Sequence, residues 1–113
     1  MLYETARETT LTMITIAQQY GFTPENTVVG ELCEGKGAIT KVLEEAGYTV
    51  IGRDKYFFAE PKQSFDIFVD PFPAEVDLII TNPPYDQKEH LVKRLYENGN
   101  IFSKRINILF YSY

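Results

Sequence analysis

The sequence is short of cysteine and of positive charge, and each shortage excludes a class of protein. Cys33 is the only cysteine among 113 residues, so no disulfide can form within the chain, as is typical of a reducing compartment. Lysine and arginine number 11 against 16 aspartates and glutamates. The resulting net charge of −5 is unusual for a protein that grips nucleic acid unaided, because neutralisation of phosphates supplies most non-specific affinity.

Long apolar runs are also missing. No run approaches the roughly 20 residues that span a bilayer, and the N-terminus lacks the basic-then-apolar pattern of a secretory signal. We therefore expect a cytoplasmic protein without a membrane partner. A hydrophobic content of 44% is enough for a packed core, and the length allows one small domain over residues 1–113.

The first predicted element is a helix from Glu4 to Tyr20, with Gly21 as its C-terminal cap. Apolar residues recur there at helical spacing: Leu11, Met13, Ile14, Ile16 and Ala17. Threonines at positions 9, 10, 12 and 15 count against the helix, because β-branched side chains lose rotamer freedom in it. A connecting turn follows.

The next segment reads as a βαβ unit. A strand over Val28–Cys33 leads into the glycine loop 34–37, and a helix with an apolar stripe runs from Ala38 until Gly47 stops it. A second strand, Tyr48–Gly52, is followed by Asp54 about 20 residues beyond the glycines, as in dinucleotide-binding units. The stripe consists of Ile39, Val42, Leu43 and Ala46.

Further strands are predicted at Phe65–Asp70, Val76–Ile80 and Ile106–Phe110, with a helix at Asp86–Asn98. Strands that alternate with helices predict an α/β fold with a mostly parallel sheet of about five strands. Residues 28–70 would form the half of this fold that binds a cofactor.

The glycine loop allows three interpretations. Gly30 with Gly35 and Lys36 nearly completes a phosphate-binding P-loop, but Gly37 stands where Ser or Thr would hold Mg²⁺. Alternatively, Glu31 closes the strand and accepts from an ammonium group, while Gly35 and Gly37 let the backbone pass close to a ligand. With Asp54 placed to accept from ribose hydroxyls, the ligand would have an amino-acid end and a ribose but no phosphate, which describes S-adenosyl-L-methionine. A simple turn between strand and helix is the third interpretation.

The segment Asn82-Pro83-Pro84-Tyr85 directly follows the apolar run 76–81 and forms a rigid turn rich in acceptors. The Asn82 side-chain oxygen and the Pro83 carbonyl could each accept one N–H of a conjugated NH₂ group. This draws the nitrogen towards tetrahedral geometry and aims its lone pair outward. The Tyr85 ring could stack on the flat substrate. A proline-rich turn without function has the same composition.

Three segments in this order, 31–39, 47–54 and 77–85, resemble the class I S-adenosylmethionine-dependent methyltransferases of the N6-adenine type. The resemblance covers about residues 28–95 and implies a Rossmann-like three-layer sandwich. It implies a catalytic turn made of Asn82, Pro83, Pro84 and Tyr85. It implies cofactor contacts from Glu31, Cys33, Gly35, Gly37, Asp54 and Asp66.

Within that set, the resemblance implies that Glu31, Gly35 and Gly37 flank the methionine part of the cofactor. It implies that Asp54 binds the ribose and that Asp66, or else Asp70, binds the adenine. No metal is implied. The expected reaction is methyl transfer to an exocyclic amine, first of all adenine N6 in DNA flipped out of the duplex. Because the turn suits any conjugated NH₂, a glutamine amide in a protein or a base in RNA remain alternatives.

The sequence departs from the family in two ways. Glu34 stands where a small residue is usual, and the chain ends at Tyr113 although the family fold continues through further strands. We therefore expect a fold that lacks the last strands, and a non-catalytic module that binds cofactor or a partner is a further alternative. An open apolar edge at Ile106–Phe110 predicts a homodimer.

Overall fold

The computed structural model describes residues 7–32, 37–54, 64–67, 69–81, 89–90, 93 and 107–110, and these contain four short strands and two helices with defined bounds. The order along the chain is α1 (Arg7–Gln19), β1 (Val28–Glu31), α2 (Ala38–Glu45), β2 (Thr49–Gly52), β3 (Leu78–Thr81) and β4 (Asn107–Phe110). This is the small α/β arrangement that the alternating pattern predicts.

The strands form a single parallel sheet in the order β2-β1-β3-β4. Val28 to Glu31 pair in register with Thr49 to Gly52 on one side of β1, and Gly30 pairs with Ile79 on the other. The chain moves outward from β1 to β2, and then returns to lay β3 on the opposite side of β1. Because all the strands are parallel, their carboxyl ends lie together at one edge of the sheet. The order in which the chain adds strands reverses direction between β1 and β3.

Helix α1 ends where Gly21 was predicted to cap it. The Phe22 N–H donates to the Ala17 carbonyl at 3.0 Å, and the Gly21 N–H donates to Gln18 at 3.0 Å. The helix tolerates its threonines because two of their hydroxyls bond to carbonyls one turn earlier. Thr12 Oγ1 donates to the Glu8 carbonyl and Thr15 Oγ1 donates to the Leu11 carbonyl, both at 3.0 Å. The predicted residues 4–6 lie outside the described part.

Helix α2 follows the predicted stripe closely. Ile39, Val42 and Leu43 are buried, and the helix packs against α1 and β2. The Tyr48 N–H donates to the Leu43 carbonyl at 3.1 Å, so the chain reverses at Gly47 and enters β2. This confirms the strand–loop–helix–strand order.

Among the described residues, apolar side chains pack against both faces of the central strands β1 and β3. On one face, Val29, Leu78 and Ile80 pack under the buried residues of α1 and α2. On the other face, Ile79 packs with apolar residues that the loop after residue 64 supplies. These loop residues are Phe65, Ile67, Phe72 and Val76. The central strands are therefore apolar on both faces, as a buried parallel sheet requires.

The predicted strand Phe65–Asp70 is wrong: its described residues form a turn. The Asp66 N–H donates to the Asp70 carboxylate at 2.7 Å, and the Asp70 N–H donates to the Asp66 carbonyl at 2.8 Å. These bonds occupy the backbone groups that a strand would offer to a neighbour. Phe65 and Ile67 still alternate into the core, whereas Val69 is 72% exposed.

The bounds of the other predicted strands also differ from those observed. The predicted strand Val28–Cys33 is β1, Val28–Glu31, and the predicted strand Tyr48–Gly52 is β2, Thr49–Gly52. The predicted strand Val76–Ile80 is β3, Leu78–Thr81, because Asp77 serves to hold the start of β1: its Oδ2 accepts from the Val28 N–H at 2.9 Å. The sheet thus has four strands in the described part instead of five. Of the predicted helix 86–98, only Glu89, His90 and Lys93 are described, and they are helical.

Candidate functional site

The carboxyl ends of β2, β1 and β3 lie side by side at one edge of the sheet. These ends are Gly52, Glu31 and Thr81. In open α/β sheets, ligands bind in the crevice outside the carboxyl ends, at the point where the strand order reverses. Here that point lies between β1 and β3. The candidate site is therefore built around Glu31 and Thr81, with Asp54 just beyond β2.

Glu31 is the central residue of this edge because it is tied to both neighbouring strands. Its carbonyl accepts from the Arg53 N–H at 2.9 Å on the β2 side. Its Oε1 accepts from the Thr81 hydroxyl at 2.5 Å on the β3 side. The Glu31 side chain is only 1% exposed. A carboxyl group so buried must be held by hydrogen bonds, and the Thr81 hydroxyl supplies one of them.

Gly37 forms the entry to α2 at the same edge. It is the N-cap residue and has a φ of 84°, a left-handed conformation that costs little only for glycine. The Lys41 N–H donates to the Gly37 carbonyl at 2.9 Å and begins the helix. A Cβ at Gly37 would meet nothing within 4 Å, so backbone geometry, and not crowding, requires the glycine.

Gly30 lies inside β1 rather than in the loop. A Cβ on it would meet both methyl groups of Val76 at 3.0 Å, so its role is to admit a neighbouring side chain. The P-loop interpretation needs Gly30 as a loop residue, and this placement speaks against it.

A backbone hydrogen bond brings the segment that contains Asp66 next to Asp54. Asp54 is buried, and its carbonyl accepts from the Phe65 N–H at 2.9 Å, which draws the turn that contains Asp66 to the end of β2. Asp66 is half-buried, and its N–H is held by Asp70. Asp54 and the turn that contains Asp66, from different segments of the chain, therefore lie near the carboxyl end of β2.

The other predicted site residues lie outside the described residues: Cys33, Gly35, Asn82, Pro83, Pro84 and Tyr85. In the sequence, Asn82 directly follows Thr81, the last residue of β3.

The sequence reasoning missed Thr81. Its hydroxyl contacts Glu31, although the two residues are 50 positions apart. A polar residue that ends an otherwise apolar strand, immediately before the predicted catalytic turn, was the available signal.

Comparison of the chain with protein-family models, with curated proteins and with solved structures gave no match. Within the described residues, no helix is long and apolar enough to cross a membrane. No group of three or more potential metal ligands occurs in the same part of the chain.

Proposed function

We propose that this chain is an S-adenosylmethionine-binding domain that transfers a methyl group to an exocyclic amine, with adenine N6 in DNA as the target. The observation that carries the proposal is the convergence of Glu31, Asp54 and Thr81 at the carboxyl edge, next to the topological reversal. The Asn82–Tyr85 segment starts one residue after Thr81. Cofactor contacts and target-amine contacts would thus share one edge.

The described residues fit the proposed cofactor in chemistry and in order. Glu31 would accept a hydrogen bond from the ammonium group, and Gly37 keeps the helix entry free of a side chain. Asp54 suits ribose hydroxyls, which carboxylates bind by accepting two hydrogen bonds. Asp66, drawn to Asp54 through Phe65, suits the adenine beyond the ribose.

In the proposed reaction, the chain orients the amine. Asn82 and Pro83 would accept the two N–H groups, and Tyr85 would stack on the ring. When bound, S-adenosylmethionine would supply an electrophilic methyl group to the amine nitrogen, and the chain's role would be to hold that nitrogen with its lone pair aimed at the methyl group; the amine's displaced proton would leave to solvent. Positioning and electrostatics then provide the rate, with no strong general base required.

The distribution of charge supports a nucleic-acid substrate. Positions 82–113 carry five lysines and arginines against three aspartates and glutamates, whereas positions 1–81 carry six against thirteen. The positive charge is thus concentrated in the sequence that begins with the target turn. Basic residues near the reacting base would neutralise neighbouring phosphates.

A glutamine amide in a protein is the second candidate, and the overall charge of −5 favours it. An acidic protein is repelled by the phosphate backbone at low salt but can approach a basic partner. A methyl-transfer assay that offers adenine-containing oligonucleotides and glutamine-containing basic peptides in parallel separates the two candidates. Affinity for DNA that falls steeply with salt would support the first.

Calorimetry with S-adenosylhomocysteine tests the cofactor directly. We expect binding that Asp54→Ala weakens by about 1–3 kcal/mol, the cost of losing a hydrogen-bond partner for a polar group. Glu44→Ala, at an exposed position of α2, is the matched control and should bind like wild type. Tighter binding of ATP than of S-adenosylmethionine would instead favour the P-loop interpretation and contradict the proposal.

Asn82 provides the test of the target site. Asn82→Ala should abolish methyl transfer but leave the affinity for S-adenosylhomocysteine unchanged, since its contacts form only with substrate. An equal loss of cofactor affinity would assign Asn82 a structural role.

A further inference from the structure

The hydrogen bond between Thr81 and Glu31 joins the two halves of the proposed site. Thr81 Oγ1 donates to Glu31 Oε1 at 2.5 Å, and the two side chains are 0% and 1% exposed. A hydroxyl that donates to a carboxylate makes a short, charge-assisted bond. In a buried place such a bond is expensive to lose, because the acceptor cannot turn to water instead.

This bond continues the link between β1 and β3 beyond their backbone pairing. The register pairs are Val29 with Leu78 and Gly30 with Ile79. Glu31 and Thr81 come after these pairs, at the tips of the two strands. The side-chain bond therefore fixes the tips relative to each other, at the point where the topology reverses.

We infer that Thr81 is a positioning residue that couples the cofactor side of the edge to the target-amine turn, an inference that rests on the proposed function. Glu31 faces the cofactor in that proposal, and Asn82 is bonded covalently to Thr81. The Thr81 hydroxyl thus links the residue proposed to bind the cofactor to the residue that precedes Asn82 in the chain. If cofactor binding favours the arrangement of Glu31 and Thr81 that the amine also requires, each ligand tightens the binding of the other by the same factor, because a coupling free energy between two sites is reciprocal.

The substitution Thr81→Val removes the hydroxyl and keeps the shape of the side chain, whereas Thr81→Ser keeps the hydroxyl. The probe is an adenine-containing oligonucleotide, whose dissociation constant is measured with and without saturating S-adenosylhomocysteine. In wild type and Thr81→Ser we expect the cofactor product to tighten oligonucleotide binding by about 5-fold or more, within the usual range of such couplings. In Thr81→Val the ratio should fall to near one, while each ligand alone still binds.

A Thr81→Val protein that binds both ligands with the wild-type ratio would overturn the inference, and so would a wild-type ratio of one. Either result would leave the proposed function standing. Absence of any S-adenosylhomocysteine binding by wild type would overturn both. If Thr81→Val does not fold, Thr81→Cys replaces it, since its thiol keeps a weak donor for Glu31; its ratio should fall below the wild-type ratio, and an unchanged ratio would overturn the inference.

Discussion

Thr10 is the residue whose polar group the fold accommodates least well. It lies in α1 with a side chain that is 0% exposed, and its Oγ1 has no hydrogen-bond partner among the described residues. Replacing it by valine keeps the shape and removes a desolvated hydroxyl. We expect Thr10→Val to raise the free energy of unfolding by about 1 kcal/mol, measured by urea denaturation.

Thr12→Val is the matched control. Thr12 is exposed in the same helix, and its hydroxyl already donates to the Glu8 carbonyl. Its substitution should change the stability by less than about 0.5 kcal/mol, as is usual for surface sites. A Thr10→Val protein that is less stable than wild type would show that the hydroxyl has a partner in solution.

Tyr48 couples stability to alkaline pH. Burial raises the pKa of the Tyr48 hydroxyl above its usual 10.0, the charge of Glu25 adds to the effect, and a hydrogen bond with Gln18 opposes it. The hydroxyl also donates to the Phe22 carbonyl at 2.6 Å. Below pH 10.0 the neutral form dominates in both states, so the contribution to stability is complete.

As the pH rises past 10.0, the unfolded state loses its Tyr48 proton first, and stability falls until the folded-state pKa is passed. Tyr48→Phe should therefore be about 1 kcal/mol less stable than wild type near neutral pH but lose less stability above pH 10.0. Urea unfolding across this range measures both effects. Tyr20→Phe, at a residue 78% exposed, should keep the wild-type slope, and equal slopes in all three proteins would contradict the prediction.

At the scale of elements, the entry to α2 depends on the backbone of Gly37. Its φ of 84° costs a residue with a Cβ about 1–2 kcal/mol. Gly37→Ala should therefore lower the free energy of unfolding by about that amount. Since asparagine tolerates this conformation, Gly37→Asn should lose clearly less. Both are measured by chemical denaturation, and equal losses would mean that side-chain crowding, and not φ, governs this position.

The segment 65–70 shows how an element can carry the pattern of a strand and still form a turn. Phe65 and Ile67 alternate inward as in a strand, but Asp70 accepts from the Asp66 N–H and closes the segment on itself. A local side-chain acceptor competes with pairing to a neighbouring strand. The outcome depends on whether a neighbouring strand is close enough to pair with the segment, and the local sequence does not encode that.

At the scale of the whole molecule, the oligomeric state remains a prediction. In the part of the chain that the structure describes, β2 and β4 each pair with one neighbour only. An edge strand offers unpaired backbone groups to a second copy. We expect self-association through β4, Asn107–Phe110, which light scattering over a series of protein concentrations would detect.

A lysine substituted into β4 or into β2 shows which of these two outer strands mediates the association. Ile108→Lys, in the middle of β4, should shift the protein to a monomer, because charge on an edge strand opposes pairing. Thr49→Lys, at the start of β2, should leave the association unchanged. A wild-type protein that stays monomeric at every concentration would rule out the edge-pairing dimer.

The sequence by itself determined most of the local elements, the segment 65–70 excepted. The spacing of Ile39, Val42 and Leu43 set α2, glycines ended both helices, and the apolar run before Asn82 predicted β3. These features depend on neighbours a few residues apart, and periodicity and backbone freedom record them directly. The same reasoning placed Glu31 and Asp54 at strand ends, where the structure finds them.

Only the tertiary structure decided which strand ends meet. The order β2-β1-β3-β4 makes Glu31 and Thr81 neighbours across 50 positions. The same order lets the Asp77 carboxylate accept from the N–H of Val28 at the start of β1. It also brings the methyl groups of Val76 against Gly30, where a larger residue would crowd them. Each of these contacts depends on which strands pair and in what register, and no local pattern encodes the partner of a strand.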